Sequence, residues 1–143
     1  MLSNTCKTAI KAVIYLCSKF TTGENAGIKE VAEFIAANEH TVGKIMQTLV
    51  KQNVIKSIKG PSGGFYISSE QQQQPIINIV EAIDGKGIFT SCGLGLSKCS
   101  SFHPCPIHDD YKQARDIIEN LFQQKKVLDL CEPVNSGIAY LMG

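Results

Sequence analysis

Apolar residues recur every three or four positions along most of the chain, and breaks in that recurrence mark off its elements. From Ser3 to Phe20, the residues Cys6, Ala9, Ile10, Val13, Ile14, Cys17 and Phe20 form one stripe of an amphipathic helix. The segment Thr21-Thr22-Gly23-Glu24-Asn25 interrupts it. Ile28, Val31, Ala32 and Ile35, at i, i+3, i+4 and i+7, then predict a second helix. A short connection near Ala36-Ala37-Asn38 leads to a third, with Val42, Ile45, Met46, Leu49 and Val50 on one face. Two short helices joined by a tight junction make the helix-turn-helix pattern.

The period then shortens. Val54-Ile55-Lys56-Ser57-Ile58-Lys59 reads as a strand, Gly60-Pro61-Ser62-Gly63-Gly64 as a turn, and Phe65-Tyr66-Ile67-Ser68 as the returning strand. A hairpin in this position is a wing. Gln71–Gln74, closed by Pro75, reads as a short polar linker, and Ile76 to Asp84 as a short helix with Ile76, Ile79, Val80 and Ile83 on one face. Residues 85–108 show no period. A structureless stretch of that length in a small domain is usually functional or disordered. A long helix follows from about Asp109 to Leu128, striped by Tyr111, Ala114, Ile117, Ile118, Leu121, Phe122 and Leu128. Asp109 and Asp110 suit its start, and Lys125 and Lys126 its last turn. The tail after Pro133 is expected to be loosely ordered. The fold class is therefore mostly α with a small β-hairpin.

Composition changes this picture in two places. The 143 residues fit one domain, or one small domain with an extension. A net charge of +1 looks unsuited to DNA, but the charge is unevenly placed. Residues 1–69 hold eight Lys and four Glu, whereas residues 70–143 hold five Lys, one Arg and nine acids. The basic half is the candidate for phosphate contact. No apolar run approaches a membrane span, and the first residues lack the pattern of a signal peptide, so the expected partner list has no membrane and the expected compartment is the cytoplasm. No Ser–His–Asp set or paired-carboxylate motif stands out. The Gly60–Gly64 run lacks the Lys-Ser/Thr of a phosphate loop, so an enzyme is not expected.

With Val42, Ile45, Met46 and Leu49 facing the core, the third helix turns His40, Thr41, Gly43, Lys44, Gln47, Thr48 and Lys51 outward. Recognition helices reach base edges through their N-terminal residues, which selects His40, Thr41, Gly43 and Lys44 as readers. Lys44 has donors for guanine or phosphate, and Gly43 permits close approach. Lys56, Lys59 and Gly60 of the wing are placed to meet phosphate or the minor groove.

The second change comes from cysteine. Cys6, Cys17 and Cys131 are scattered, and the first two lie on the apolar stripe of the first helix. Cys92, Cys99 and Cys105 fall within 14 residues among several glycines, with His108 three positions further on. Thiolates with an imidazole suit an iron–sulfur cluster, either 2Fe–2S with His108 or 4Fe–4S with a ligand from elsewhere. The same set suits structural zinc, although zinc sites usually contain a tight cysteine pair. Two of the thiols could instead form a redox switch. His103 lies in the same loop as an alternative nitrogen donor. A colourless zinc-stabilised or thiol-switched DNA binder, and a small iron–sulfur electron carrier, are the competing readings.

Three features resemble the winged-helix regulators typified by the iron–sulfur regulator IscR and the nitric-oxide sensor NsrR. Thr8-Ala9-Ile10-Lys11-Ala12-Val13-Ile14-Tyr15-Leu16 looks like the family's first helix. Lys59-Gly60-Pro61-Ser62-Gly63-Gly64-Phe65 is similar to its basic-Gly-Pro-x-Gly-Gly-aromatic wing. The cysteine loop sits between a short helix ending Glu81-Ala82-Ile83-Asp84 and a long one, as in cluster-bearing members. The resemblance implies a homodimer packed through the long helix, a two-fold symmetric double-stranded DNA operator, and DNA affinity set by cluster state. It carries the cluster thiolates onto Cys92, Cys99 and Cys105, and the fourth ligand of IscR-like members onto His108. The acidic ligand of the nitric-oxide sensors falls on Lys7, which cannot serve, so the resemblance favours a 2Fe–2S cluster. The first cysteine gap is six residues where IscR-like members have five, and Gly43 stands where IscR has a base-discriminating Glu. On this basis residues 1–70 are expected to form a winged helix-turn-helix DNA-binding domain. Residues 71–143 are expected to supply a short helix, a cluster-binding loop and a dimerisation helix.

Overall fold

The computed structural model describes residues 1–143. Its centre is α1, Asn4–Ser18. Ser3 caps it, its Oγ accepting a hydrogen bond from the Cys6 amide at 3.0 Å and so satisfying one of the amides a helix start leaves open. From Ala12 to Cys17 every residue is buried, so α1 is covered on all sides rather than along one stripe. It packs against α2 (Ile28–Phe34), α3 (Glu39–Lys51), α5 (Ile77–Asp84) and α7 (Val127–Asn135).

The α2–α3 junction is tight because Ala36 adopts a left-handed conformation (φ 53°) and Asn38 caps α3, its Oδ1 accepting from the Thr41 amide at 3.1 Å. Val42, Ile45, Met46 and Leu49 are buried, as their spacing predicts. Beyond α3, Val54 and Ile55 belong to the core, and the hairpin proper is β1 (Lys56–Ile58) paired antiparallel with β2 (Gly64–Tyr66). Lys56 stands opposite Tyr66 and Ser57 opposite Phe65. The base of the wing is held by reciprocal backbone hydrogen bonds between Ala26 and Phe65, 2.8 and 2.9 Å long. A Cβ on Gly63 would lie 2.1 Å from the Ile58 carbonyl oxygen, so this turn admits only glycine there.

Two elements differ from the sequence expectation. The Gln71–Gln74 tract is not a linker. Ser69–Gln72 form a short helix, α4, with a reciprocal cap between Ser68 and Gln71 (both bonds 3.1 Å). Gln71 and Gln72 are buried, and Gln71 and Gln74 donate their side-chain amides to the carbonyls of Asn53 and Val54. The tract therefore pins the connection from α3 to β1. The long helix also stops early. α6 spans His108–Gln124, and Lys125 and Lys126 are extended. There the Ile76 amide donates to the Lys125 carbonyl (2.8 Å) and the Val127 amide to that of Gln74 (3.0 Å). A separate α7 then runs through Pro133 to Asn135, burying Val127 and Cys131 against α1. The main core thus draws Ile76, Ile79, Val127 and Cys131 together with the helix-turn-helix residues. A smaller cluster of Cys6, Ile77, Val80 and Phe89, flanked by Ile118 and Phe122, lies between α1, α5 and α6 and supports the loop that follows α5.

Candidate nucleic-acid interface and cysteine centre

The outward face of α3 carries His40, Thr41, Lys44, Gln47 and Lys51, all exposed, with Gly43 half-buried among them. A cavity of about 620 Å³ opens at the start of this face, lined by Ile28, Glu39, His40, Gly43, Lys44 and Gln47. A second hollow of about 570 Å³ runs between the end of α3 and the wing, where Gln47 and Lys51 face Lys59 and Gly60. Lys56 and Lys59 are exposed, and none of Lys44, Lys51, Lys56 and Lys59 is spent on an ion pair within the chain. The helix and the wing thus present one surface with free ammonium groups.

The loop of residues 85–107 brings the three cysteines together. After a short 3₁₀ turn at Gly87–Phe89, whose Phe89 plugs the smaller core, the chain doubles back. The sulfurs of Cys92, Cys99 and Cys105 all lie within 4.8 Å of one another. Cys105 is buried and the other two are half-buried. His108 opens α6, and its Nδ1 is 3.1 Å from Cys99 Sγ. His103 is exposed in a tight turn closed by its own backbone bonds to Ser100, and the imidazole beside a sulfur is that of His108.

Electrostatics distinguish the thiols. The backbone amide of Leu96, and after it that of Leu94, donates to Cys92, and Cys105 and Cys99 add their own hydrogen bonds. Against the opposing effect of burial these lower the Cys92 thiol to about 7. Cys105 is raised, chiefly by burial and then by its two sulfur neighbours. Elsewhere, burial, with Asp84 adding to it, pushes Cys6 up to about 12. Cys17 is raised by its hydrogen bond to Cys131 and by burial. Those three are core thiols. Three soft sulfur donors clustered together, with an imidazole beside one of them, suit a thiophilic metal or an iron–sulfur cluster, and bare thiolates at this separation repel one another.

Two side chains that sequence reasoning passed over complete the site. Tyr111 and Arg115 follow His108 at i+3 and i+7, on one face of α6. A Cβ on Gly93 would lie 2.7 Å from the Tyr111 ring, so the residue after Cys92 rests directly on that ring. Arg115 is 7% exposed, lies over the Tyr111 ring at 5.6 Å, and donates from Nη1 to the Ser91 carbonyl. The available signal was that Arg115 is the chain's one arginine, in helical register with the histidine.

A helix-turn-helix with a basic wing, carrying three clustered cysteines beside its longest helix, defines the class: a winged-helix transcription regulator. The chain belongs to the Rrf2 family, described as iron-dependent transcriptional regulators, whose model matches residues 2–133. It is 28% identical over 132 residues to a protein of Aquifex aeolicus (strain VF5) described as an HTH-type transcriptional regulator, covering 91% of this chain and 90% of that one. Its fold is similar to CymR (YrzC), the global cysteine regulator of B. subtilis, with a TM-score of 0.75 at 17% identity over 92% of this chain and 96% of that one. It is also similar to T. potens IscR, with a TM-score of 0.74 at 16% identity over 97% and 91%. At these identities the structures share the fold.

Proposed function

We propose that the chain is a homodimeric, sequence-specific DNA-binding regulator, acting as a repressor in the cytoplasm. Its DNA affinity is set by an iron–sulfur cluster held by Cys92, Cys99, Cys105 and His108. The observation that carries the reading is the convergence of three sulfurs within 4.8 Å with an imidazole nitrogen 3.1 Å from one of them. The four-donor set, with the nitrogen supplied from within the chain, favours 2Fe–2S. When bound, such a cluster supplies a charge that changes with redox state, nitric oxide or iron–sulfur supply. The chain's own part is mechanical. The cysteine loop is seated on α6 and on the cluster of Cys6, Val80 and Phe89, so an ordered loop fixes α6 relative to α1 and α5.

In this reading residues 1–70 read DNA and residues 71–143 sense and dimerise. The start of α3, through His40, Thr41, Gly43 and Lys44, faces base edges, while Gln47, Lys51, Lys56, Lys59 and Gly60 hold the backbone. Ala114, Ile117 and Leu121 of α6 leave an exposed apolar stripe, with Ile117 70% and Leu121 48% exposed, which suits pairing with a second copy on a two-fold symmetric operator. The test is anaerobic purification followed by visible spectroscopy, iron and sulfide analysis, and gel-shift with loaded and stripped protein. Charge-transfer bands with two irons per chain, and a DNA affinity that changes on stripping, are expected. A colourless protein holding zinc would refute it.

One observation favours a second reading. Cys92 is lowered to about 7 in a half-buried loop, which suits a thiol-switched or zinc-stabilised regulator. It predicts DNA affinity that follows thiol oxidation in iron-free protein.

A further inference from the structure

Arg115 has an environment that ordinary packing does not explain. It is the one residue of α6 that is buried, in a helix whose apolar Ile117 and Leu121 are exposed. No carboxylate lies within ion-pairing distance of it, and its Nε has no hydrogen-bond partner. A buried cation without a counter-charge is costly. The nearest group it holds is the carbonyl of Ser91, the residue immediately before Cys92. Its guanidinium lies over Tyr111, on which Gly93, the residue immediately after Cys92, is seated. Both neighbours of Cys92 in the chain are thus fixed to α6 by the Tyr111–Arg115 pair.

We propose that Arg115 is a positioning residue for the cysteine centre. It ties the Cys92 limb of the loop to the same helix face that presents His108. The inference rests on the reading of the centre as a metal or cluster site. A guanidinium suits this task, because its planar fork holds the Ser91 carbonyl while its face lies over the Tyr111 ring. A lysine at 115 would keep the charge and lose the fork, and a glutamine would keep a donor and lose the charge.

The experiment uses the full chain, reduced and metal-free, titrated with zinc against a competing chelator, with hydrogen exchange measured in parallel. Arg115→Gln is expected to lower zinc affinity by about 10–100-fold, the range found when a group supporting a metal ligand is removed. Arg115→Lys is expected to lose less affinity. Both are expected to speed exchange at residues 88–95 while α1 and α3 exchange as in the wild type. A merely structural role would instead raise exchange throughout the core. Unchanged zinc affinity in a folded Arg115→Gln protein, or unchanged exchange at 88–95 in Arg115→Lys, overturns the proposal. If Arg115→Gln does not fold, Arg115→Lys alone decides. If the wild type itself binds neither zinc nor iron, the metal-site reading falls. The exchange comparison then still decides the anchoring role.

Discussion

Replacing Gly93 with alanine would place a methyl group 2.7 Å from Cδ2 and Cγ of Tyr111 and 2.9 Å from Cδ1. Carbon atoms settle at about 3.5–4.0 Å, so ring and loop must separate by about 1 Å. The ring cannot swing away cheaply, because the atoms struck are at its root and Arg115 lies over it. The loop is therefore the part that yields, and Cys92 moves with it. Overpacking of this kind costs about 1–3 kcal/mol. Expressed at the binding step, that is a loss of about 5- to 150-fold in metal affinity. Gly95→Ala is the control. Gly95 also sits in the loop, at φ +75°, with nothing within 4 Å of an added Cβ, so it bears only the left-handed backbone cost of about 1–2 kcal/mol. The assay is zinc competition on the apo protein together with cluster occupancy after anaerobic reconstitution. In a Tyr111→Ala background, Gly93→Ala should cost much less than in the wild type. An equal loss with and without the Tyr111 ring would refute the seating of Cys92 on that ring.

Other outcomes follow from the same geometry. Lys44→Ala should weaken binding to the specific operator, while Lys59→Ala should weaken binding to all sequences alike and flatten the salt dependence, both read by gel-shift at two salt concentrations. Ile117→Asp with Leu121→Asp should give a folded monomer in sedimentation, since both side chains are exposed in the single chain, with a Tm that no longer depends on protein concentration; a persistent dimer would place the interface elsewhere. In apo protein at pH 7.5, Cys92 should be alkylated first. Its thiol is lowered to about 7, so the reactive thiolate predominates above that pH and is lost below it, while Cys6, pushed up to about 12, stays protonated and protected. Gln71→Ala should destabilise by about 1–3 kcal/mol in a denaturant melt, because it leaves the Asn53 carbonyl without its side-chain donor.

Much of the helix-turn-helix and its wing was legible in the sequence because each of these elements is locally specified. The stripe of Val42, Ile45, Met46 and Leu49 allows one facing of α3, and the Gly60–Gly64 run allows a tight turn and little else. The glutamine tract was misread because polar composition usually signals solvent. Here the amides replace solvent at the Asn53 and Val54 carbonyls. The Ser68-to-Gln71 capping spacing was the local clue to α4. The end of α6 had no local clue. Its stripe continues through Leu128, and the break at Lys125 is imposed by backbone bonds from residues 74–76, some 50 positions away.

The same division holds for the cysteine centre. The sequence by itself determined which donors exist, because cysteine clustering and the His108 offset are properties of spacing within one loop. Only the tertiary structure decided how they are held. The seat of Gly93 on Tyr111 and the bond from Arg115 to Ser91 join segments about 20 residues apart, and the support of Phe89 on Cys6 joins the loop to the first helix. Contacts of that kind depend on how packed helices fill space, and periodicity along one segment carries no record of the surface it will meet.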